Sequence, residues 1–202
     1  MQRTLDILAT GIHDAKNQLF RAETLAADLE SRLGVDLGEV RYAIEAAAGS
    51  LVSTLDAYRL LGETSTPVVQ PTVVTDLIDE VVLDQRRHLI AAGLELDVPP
   101  PPADAWPLLR GPVMALLNNA LQNAGRFARR QIRLSARIDD ETLVLMVEDD
   151  GPGFATLPPA SGIGLVLADR VAALHERHGR SGSLQLSNGG SLGGAVFSLR
   201  LP

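Results

Sequence analysis

The chain has 202 residues, 46% of them apolar and 21% charged, with a formal net charge of -7, a globular composition with room for one large or two modest domains. It has no cysteine, which excludes disulfides, thiolate catalysis and cysteine-based metal sites. The acidic balance and 3% aromatic content argue against nucleic acid as a partner, and no apolar run approaches the ~18 residues of a membrane span, so a cytoplasmic protein touching neither nucleic acid nor membrane is expected.

Leu5, Leu8, Ile12, Ala15, Leu19, Ala22, Ala26, Leu29 and Leu33 alternate spacings of three and four, which predicts the seam of a long helix packed on other helices. Gly34 ends that helix, and Asp36 with Glu39 reads as a capping pair for the next. Leu37, Val40, Ile44, Ala47, Leu51, Leu55, Tyr58 and Leu61 form the second stripe, which Gly62 closes. The two helices predict an antiparallel hairpin over 1–62. A lone hairpin leaves one face of each helix uncovered, so pairing with a second copy into a four-helix bundle, hence a homodimer, is expected.

Residues 63–71 are rich in hydroxyl side chains and proline and are expected to be a linker to a second domain over 72–202. In that domain the pattern predicts a helix from Thr75 or Asp76 to about Ala92, a strand from Leu94 to Val98, and a stiff proline turn at 99–102. A helix follows from near Pro112 to about Ala128, with Val113, Leu116, Leu117, Ala120, Leu121 and Ala124 inward. Strands are expected over Gln131 to Ile138 and Thr142 to Glu148, then a glycine-rich loop, a helix from Ile163 to about His178, and strands over Leu184 to Ser187 and Ala195 to Leu201. Strands and helices that do not strictly alternate favour an α/β two-layer sandwich, so the fold class is α+β with a helical hairpin in front.

Three stretches of this domain could carry chemistry. Asn119 and Asn123 lie four apart on one face of an apolar helix, near Arg126; asparagine is a poor helix former. They read either as oxygen ligands for Mg²⁺ beside a phosphate or as solvent-facing and loop-capping groups. Asp149-Asp150-Gly151-Pro152-Gly153 follows a strand and reads either as a carboxylate that meets an amino group of a flat ligand or as turn chemistry. Gly162-Ile163-Gly164 opens a helix and offers backbone amides to phosphate. Near the N-terminus, His13 follows the seam residue Ile12, so it is expected on the flank of the bundle.

The order of an asparagine helix, Asp-x-Gly-x-Gly, Gly-x-Gly at a helix start and a turn at Gly193-Gly194 resembles the catalytic ATP-binding domain of sensor histidine kinases, and the hairpin resembles their dimerisation and phosphotransfer domain. The resemblance implies ATP and Mg²⁺ as cofactors. Asn123 stands where that family has its metal-binding asparagine, with Asn119 one turn before and Arg126 as a phosphate contact. Asp149 looks like the residue that reads the adenine amino group, Gly151 and Gly153 like the first glycine pair, Gly162 and Gly164 like the second. His13 then resembles the phosphoryl acceptor, Asp14 the group that orients the imidazole and takes its proton, and Asn17 the residue that positions water for dephosphorylating a partner. The function implied is autophosphorylation on His13 and transfer to an aspartate of a response regulator, with input from a separate sensor protein or from complex formation. The stretch 154–161 is short for the nucleotide lid of this family and has no basic residue. Ala195 stands where threonine is common. These departures keep open a relay protein with a degenerate nucleotide domain, or a regulator-docking phosphatase.

Overall fold

The computed structural model describes residues 2–41, 43–44, 47–49, 51, 68–157 and 163–202, and the chain divides into two compact units, Met1–Thr66 and Pro67–Pro202. In the first unit, α1 runs Gln2–Leu33. Gly34 stops it in the left-handed region at φ +64, with its N–H donating to the Glu30 carbonyl at 3.0 Å, as expected of glycine just past a helix end. Asp36 then accepts the Gly38 N–H at 2.9 Å, which opens a second helical segment described at 38–41, 43–44, 47–49 and 51. Arg41 on that segment donates to Glu23 at 2.8 Å and to Glu30 at 3.2 Å on α1, so the chain turns back along the first helix as a hairpin requires. The end of the second stripe, from Leu55 to Gly62, lies outside the described residues.

Seam burial is graded. Ala26 is buried, and Ile12, Ala15, Leu19 and Ala22 are half-buried, whereas Leu29 and Leu33 are 44% and 67% exposed. Phe20 and Leu25 are exposed as well. The hairpin therefore leaves large apolar side chains uncovered within one chain, an arrangement that marks an interaction surface when contiguous.

In the second unit, β1 (Gln70–Val73) pairs antiparallel with β3 (Ala105–Leu108) as a small separate sheet. The linker expected over 63–71 is thus shorter at its end, because Gln70 and Pro71 are strand residues. Neither strand is legible in the sequence, since each carries a proline. Pro71 sits opposite Pro107, a position where two residues without N–H groups cost the ladder nothing if it is a non-hydrogen-bonded pair.

Helix α2 (Val74–Ala91) leads to β2 (Glu95–Asp97), and α3 (Arg110–Phe127) follows β3. The six residues expected to point inward from α3 are the six that are buried. Strands β4 (Gln131–Asp139) and β5 (Thr142–Asp149) are joined at Asp140 and Glu141, both at positive φ, which is the primed hairpin turn that suits strand twist. Then come α4 (Ile163–Ala173), a hairpin of β6 (Glu176–Arg177) and β7 (Arg180–Ser181), β8 (Ser183–Asn188) and β9 (Ala195–Leu201).

The helix expected from Ile163 to about His178 ends five residues earlier, at Ala173. Its apolar period does continue to His175, but that imidazole is buried and draws the chain out of the helix. Nε2 accepts the Leu109 N–H at 3.0 Å, and Nδ1 lies 2.8 Å from the Val171 carbonyl. His175 is therefore a clip between the end of α4 and Leu109, the residue just before α3.

The main sheet has the order β2-β4-β5-β9-β8, parallel only between β2 and β4. Helix α2 packs near β2, α3 on β4 and β5, and α4 on β8 and β9. Leu77, Val81, Leu117, Leu121 and Val171 from the helices and Leu134, Leu145 and Leu199 from the sheet are all buried. This is the expected two-layer sandwich.

Candidate functional site

A cavity of about 580 Å³ opens between α3, the start of α4 and the ends of β5, β8 and β9. Its walls are mainly apolar, with Leu116, Ala120, Val147, Leu186 and Phe197 among them, and its polar groups are few: Asn119, Asn123 and Asp149. A largely apolar cleft with a few convergent polar groups is the usual form of a small-molecule site.

Strand pleating explains how these groups converge. Ile132 pairs with Asp149, Val147 with Phe197, Phe197 with Leu186, and Asn188 with Ala195. Side chains two apart share a face, so Asp149, Ala195 and Asn188 form the last row of the face that Val147, Phe197 and Leu186 line. Asp149 is buried. Its Oδ1 accepts the Gly151 N–H at 2.8 Å and the Ala195 N–H at 3.1 Å, and its backbone carbonyl accepts the Gly194 N–H at 2.9 Å. With Oδ1 so occupied, Oδ2 is the oxygen without a protein partner among the described residues, and the carboxylate borders the cavity.

The glycines serve close approach. A Cβ on Gly151 would come within 2.5 Å of the Phe127 carbonyl at the end of α3. A Cβ on Gly194 would run into the Asp149 carboxylate and carbonyl. Gly153 is at φ +77, and a Cβ there would stand 2.7 Å from Asn188 Oδ1.

The asparagines of α3 divide by partner. Asn118 bonds Gln85 at 3.2 Å and Asp84 at 3.1 Å on α2, so it joins the helices to each other. Asn119 and Asn123 line the cavity, and Asn123 Nδ2 donates to Asn119 Oδ1 at 2.9 Å. That bond fixes the rotation of the Asn123 amide, and its oxygen, without a partner among the described residues, can act as a neutral ligand. No cluster of three or more acidic or imidazole groups suited to a metal occurs among the described residues. The amide oxygens of Asn119 and Asn123 that line the cavity are the oxygen-donor type that suits a hard cation which keeps its waters and meets the protein beside substrate phosphates. Arg126 follows Asn123 by three residues, with its guanidinium carbon 5.9 Å from the centroid of the Phe127 ring, which also lines the cavity.

Residues flanking Asp149 brace the site from outside. Glu148, on the opposite sheet face, accepts Ser191 N–H at 2.8 Å and holds the β8–β9 turn. Asp150 accepts the backbone N–H groups of Arg129 at 2.7 Å and Arg130 at 3.0 Å. Desolvation pushes the Asp150 pKa up, but the backbone N–H groups of Arg130, Gln131 and Arg129 together outweigh it and hold the pKa below the usual carboxylate range.

Of the remaining expected site residues, Gly164 is the second residue of α4, and Gly162 lies outside the described residues, as do 158–161 of the short stretch after the first glycine pair. Phe154 and Ala155 of that stretch line the cavity. Asp14 and Asn17 are exposed on α1; His13 belongs to the same helix, and its side chain lies outside the described residues. Asn188 and Glu148 carried no signal in the sequence, because an asparagine at a strand end before two glycines reads as turn chemistry alone.

The chain is similar to known two-component sensor proteins. Over 149 residues, 66% of this chain and 30% of the other protein, the chain is 32% identical to the two-component sensor PhoQ of Pseudomonas aeruginosa. It spans under a third of the length of such curated relatives. The ATP binding domain of PrrB from Mycobacterium tuberculosis is 28% identical with a TM-score of 0.55, covering 66% of this chain and 96% of that one. The histidine kinase AdeS of Acinetobacter baumannii matches in fold at 18% identity, with a TM-score of 0.62 over 92% of this chain and 95% of that one. No family model matches the chain.

Proposed function

We propose, from the premise that this chain carries a histidine-kinase core, that it binds Mg-ATP in the cavity bordered by Asp149, phosphorylates His13, and passes the phosphoryl group to an aspartate on a response-regulator receiver domain. The observation that carries the reading is the state of Asp149. One carboxylate oxygen is held by two backbone N–H groups, and the other is left for an exocyclic amine, between apolar walls that suit a flat ring. Asn123, with Asn119 setting its rotation, would hold the Mg²⁺ ion, which supplies charge neutralisation at the phosphates. Arg126 and the amides at Gly162 and Gly164 would meet the phosphate oxygens. At the acceptor, the bond from γ-phosphorus to the bridging oxygen breaks, ADP leaves, and a bond forms to the His13 ring nitrogen as Asp14 takes the imidazole proton. Asn17, one turn on, would position water for dephosphorylation of the regulator.

The exposed Leu25, Leu29 and Leu33, which share one face of α1, support a homodimer in which a second hairpin covers them. No helix among the described residues is long and apolar enough to cross a membrane. A need for ATP supports a cytoplasmic location for this core, where a separate sensor protein could supply the signal. Labelling with ATP radioactive at the γ-phosphate tests the proposal. Acid-labile phosphate is expected on the wild type and not on His13→Ala; equal labelling of the two, or none on either, would refute it.

A further inference from the structure

The β8–β9 turn does more than close the sheet. Asn188, the last residue of β8, makes a two-point contact with the backbone of a single residue beyond the first glycine pair. Its Oδ1 accepts the Phe154 N–H at 2.7 Å, and its Nδ2 donates to the Phe154 carbonyl at 2.9 Å. A side-chain amide here takes the place of a neighbouring strand, satisfying both backbone groups of one residue at once. Asn188 stands in the same cross-sheet row as Ala195 and Asp149, so the contact ties the chain after the glycines to the strand ends that hold the Asp149 carboxylate. Phe154 and Ala155 line the cavity.

Gly153 belongs to the same device. Its φ of +77 turns the chain toward β8, and its missing Cβ is what lets the Asn188 amide close in, since a Cβ would lie 2.7 Å from Oδ1 and 2.8 Å from Cγ. The glycine at 153 makes room for an asparagine, whereas the one at 151 makes room for the end of α3.

We infer that Asn188 is a positioning residue of the nucleotide site, a latch that holds Phe154 and Ala155 in place as a wall of the cavity. The inference rests on the nucleotide reading and deepens it. Free in solution, the segment after Gly153 would have to be ordered by each incoming ligand, and ordering rotamers and backbone reduces affinity. With the latch closed, that ordering is already complete.

Titration of the full chain with ATP and Mg²⁺ by calorimetry is the test. Asn188→Ala is expected to weaken binding about fivefold, the worth of one to two net hydrogen bonds. Asn188→Asp supplies a readout that a merely structural role would not move. As a carboxylate it keeps the acceptor for Phe154 N–H and sets a negative oxygen against the Phe154 carbonyl. As a carboxylic acid it regains the donor and matches the amide at both points. Its affinity relative to wild type at the same pH is therefore expected to be low at pH 8 and to recover as pH falls through the carboxyl range. Wild-type affinity in Asn188→Ala, or a ratio for Asn188→Asp that does not change with pH, would overturn the latch. A wild type that binds no ATP overturns the nucleotide reading instead. In that event hydrogen exchange at the Phe154 amide decides the latch alone: slower exchange in the wild type than in Asn188→Ala upholds it, and equal exchange overturns it.

Discussion

Asn123 donates its side-chain N–H to the side-chain oxygen of Asn119, one helical turn earlier, at 2.9 Å. The two cavity-lining asparagines are thus unequal. Asn119 spends its oxygen on orienting Asn123, and the Asn123 oxygen is the one left for a ligand. Asn123→Ala is expected to reduce Mg²⁺-dependent ATP affinity by about tenfold or more, and Asn119→Ala by a few-fold, since only the first removes a ligand atom. Calorimetry with and without Mg²⁺ checks the order. Both variants should keep their thermal midpoint, because neither side chain is buried.

Asp149→Asn separates recognition from folding. The asparagine oxygen can still accept the Gly151 and Ala195 N–H groups, but a donor replaces the free Oδ2 and faces the ligand's amine. ATP binding is expected to fall by at least about tenfold with little loss of stability. Asp149→Ala, by contrast, strands two N–H donors in a buried site and is expected to cost about 1–3 kcal/mol for each donor left unsatisfied. Chemical denaturation beside nucleotide titration distinguishes the two variants.

Gly194→Ala tests the packing behind the carboxylate. The new methyl would overlap Asp149, with the Gly151 nitrogen 2.6 Å away, and overpacking of this kind costs about 1–3 kcal/mol. Gly111→Ala is the control. Its Cβ meets nothing within 4 Å on α3, so it is expected to be neutral or slightly stabilising. Denaturation midpoints measure both.

The buried imidazole of His175 makes stability depend on pH. Burial holds its pKa below the ordinary value of 6.5, partly offset by the Val171 and Ala172 backbone. The neutral ring accepts the Leu109 N–H; a protonated ring would oppose donor to donor. Because the folded pKa lies below the unfolded one, the unfolded chain binds the proton first. Stability is therefore complete above about pH 6.5 and declines as pH falls from there toward the folded pKa. The thermal midpoint of the wild type should show that decline, and His175→Asn should lose that part of the slope while losing about 1–3 kcal/mol at pH 8 from the unsatisfied Leu109 N–H. Asp150 adds a separate loss at lower pH. Its folded pKa is also depressed, so its contribution is present above the unfolded carboxyl pKa and disappears as pH falls through the folded one.

Local pattern settled a large part of this molecule. The three-four spacing from Ile12 to Ala26 predicts the seam that is covered, and the spacing on α3 predicts its buried face residue by residue. Alternation predicts β9 over its observed range. The glycine pairs were visible because a missing side chain is itself a chemical feature. Periodicity works here because each side chain's direction depends only on its own backbone and a helix or strand repeats it.

Partners that arrive from distant elements were decided by the tertiary structure alone. Nothing local distinguishes Asn118, which is bonded to Gln85 33 residues away, from Asn119 and Asn123, which line the cavity. The early end of α4 depends on an imidazole that meets a backbone N–H 66 residues distant. The first small sheet depends on two prolines falling opposite each other. Asn188 gains its role only because folding sets it 34 residues from its own place in the chain, against the backbone of Phe154. A hydrogen bond needs both partners within about 3 Å, and long-range proximity is a property of the packed chain that no single stretch of sequence contains.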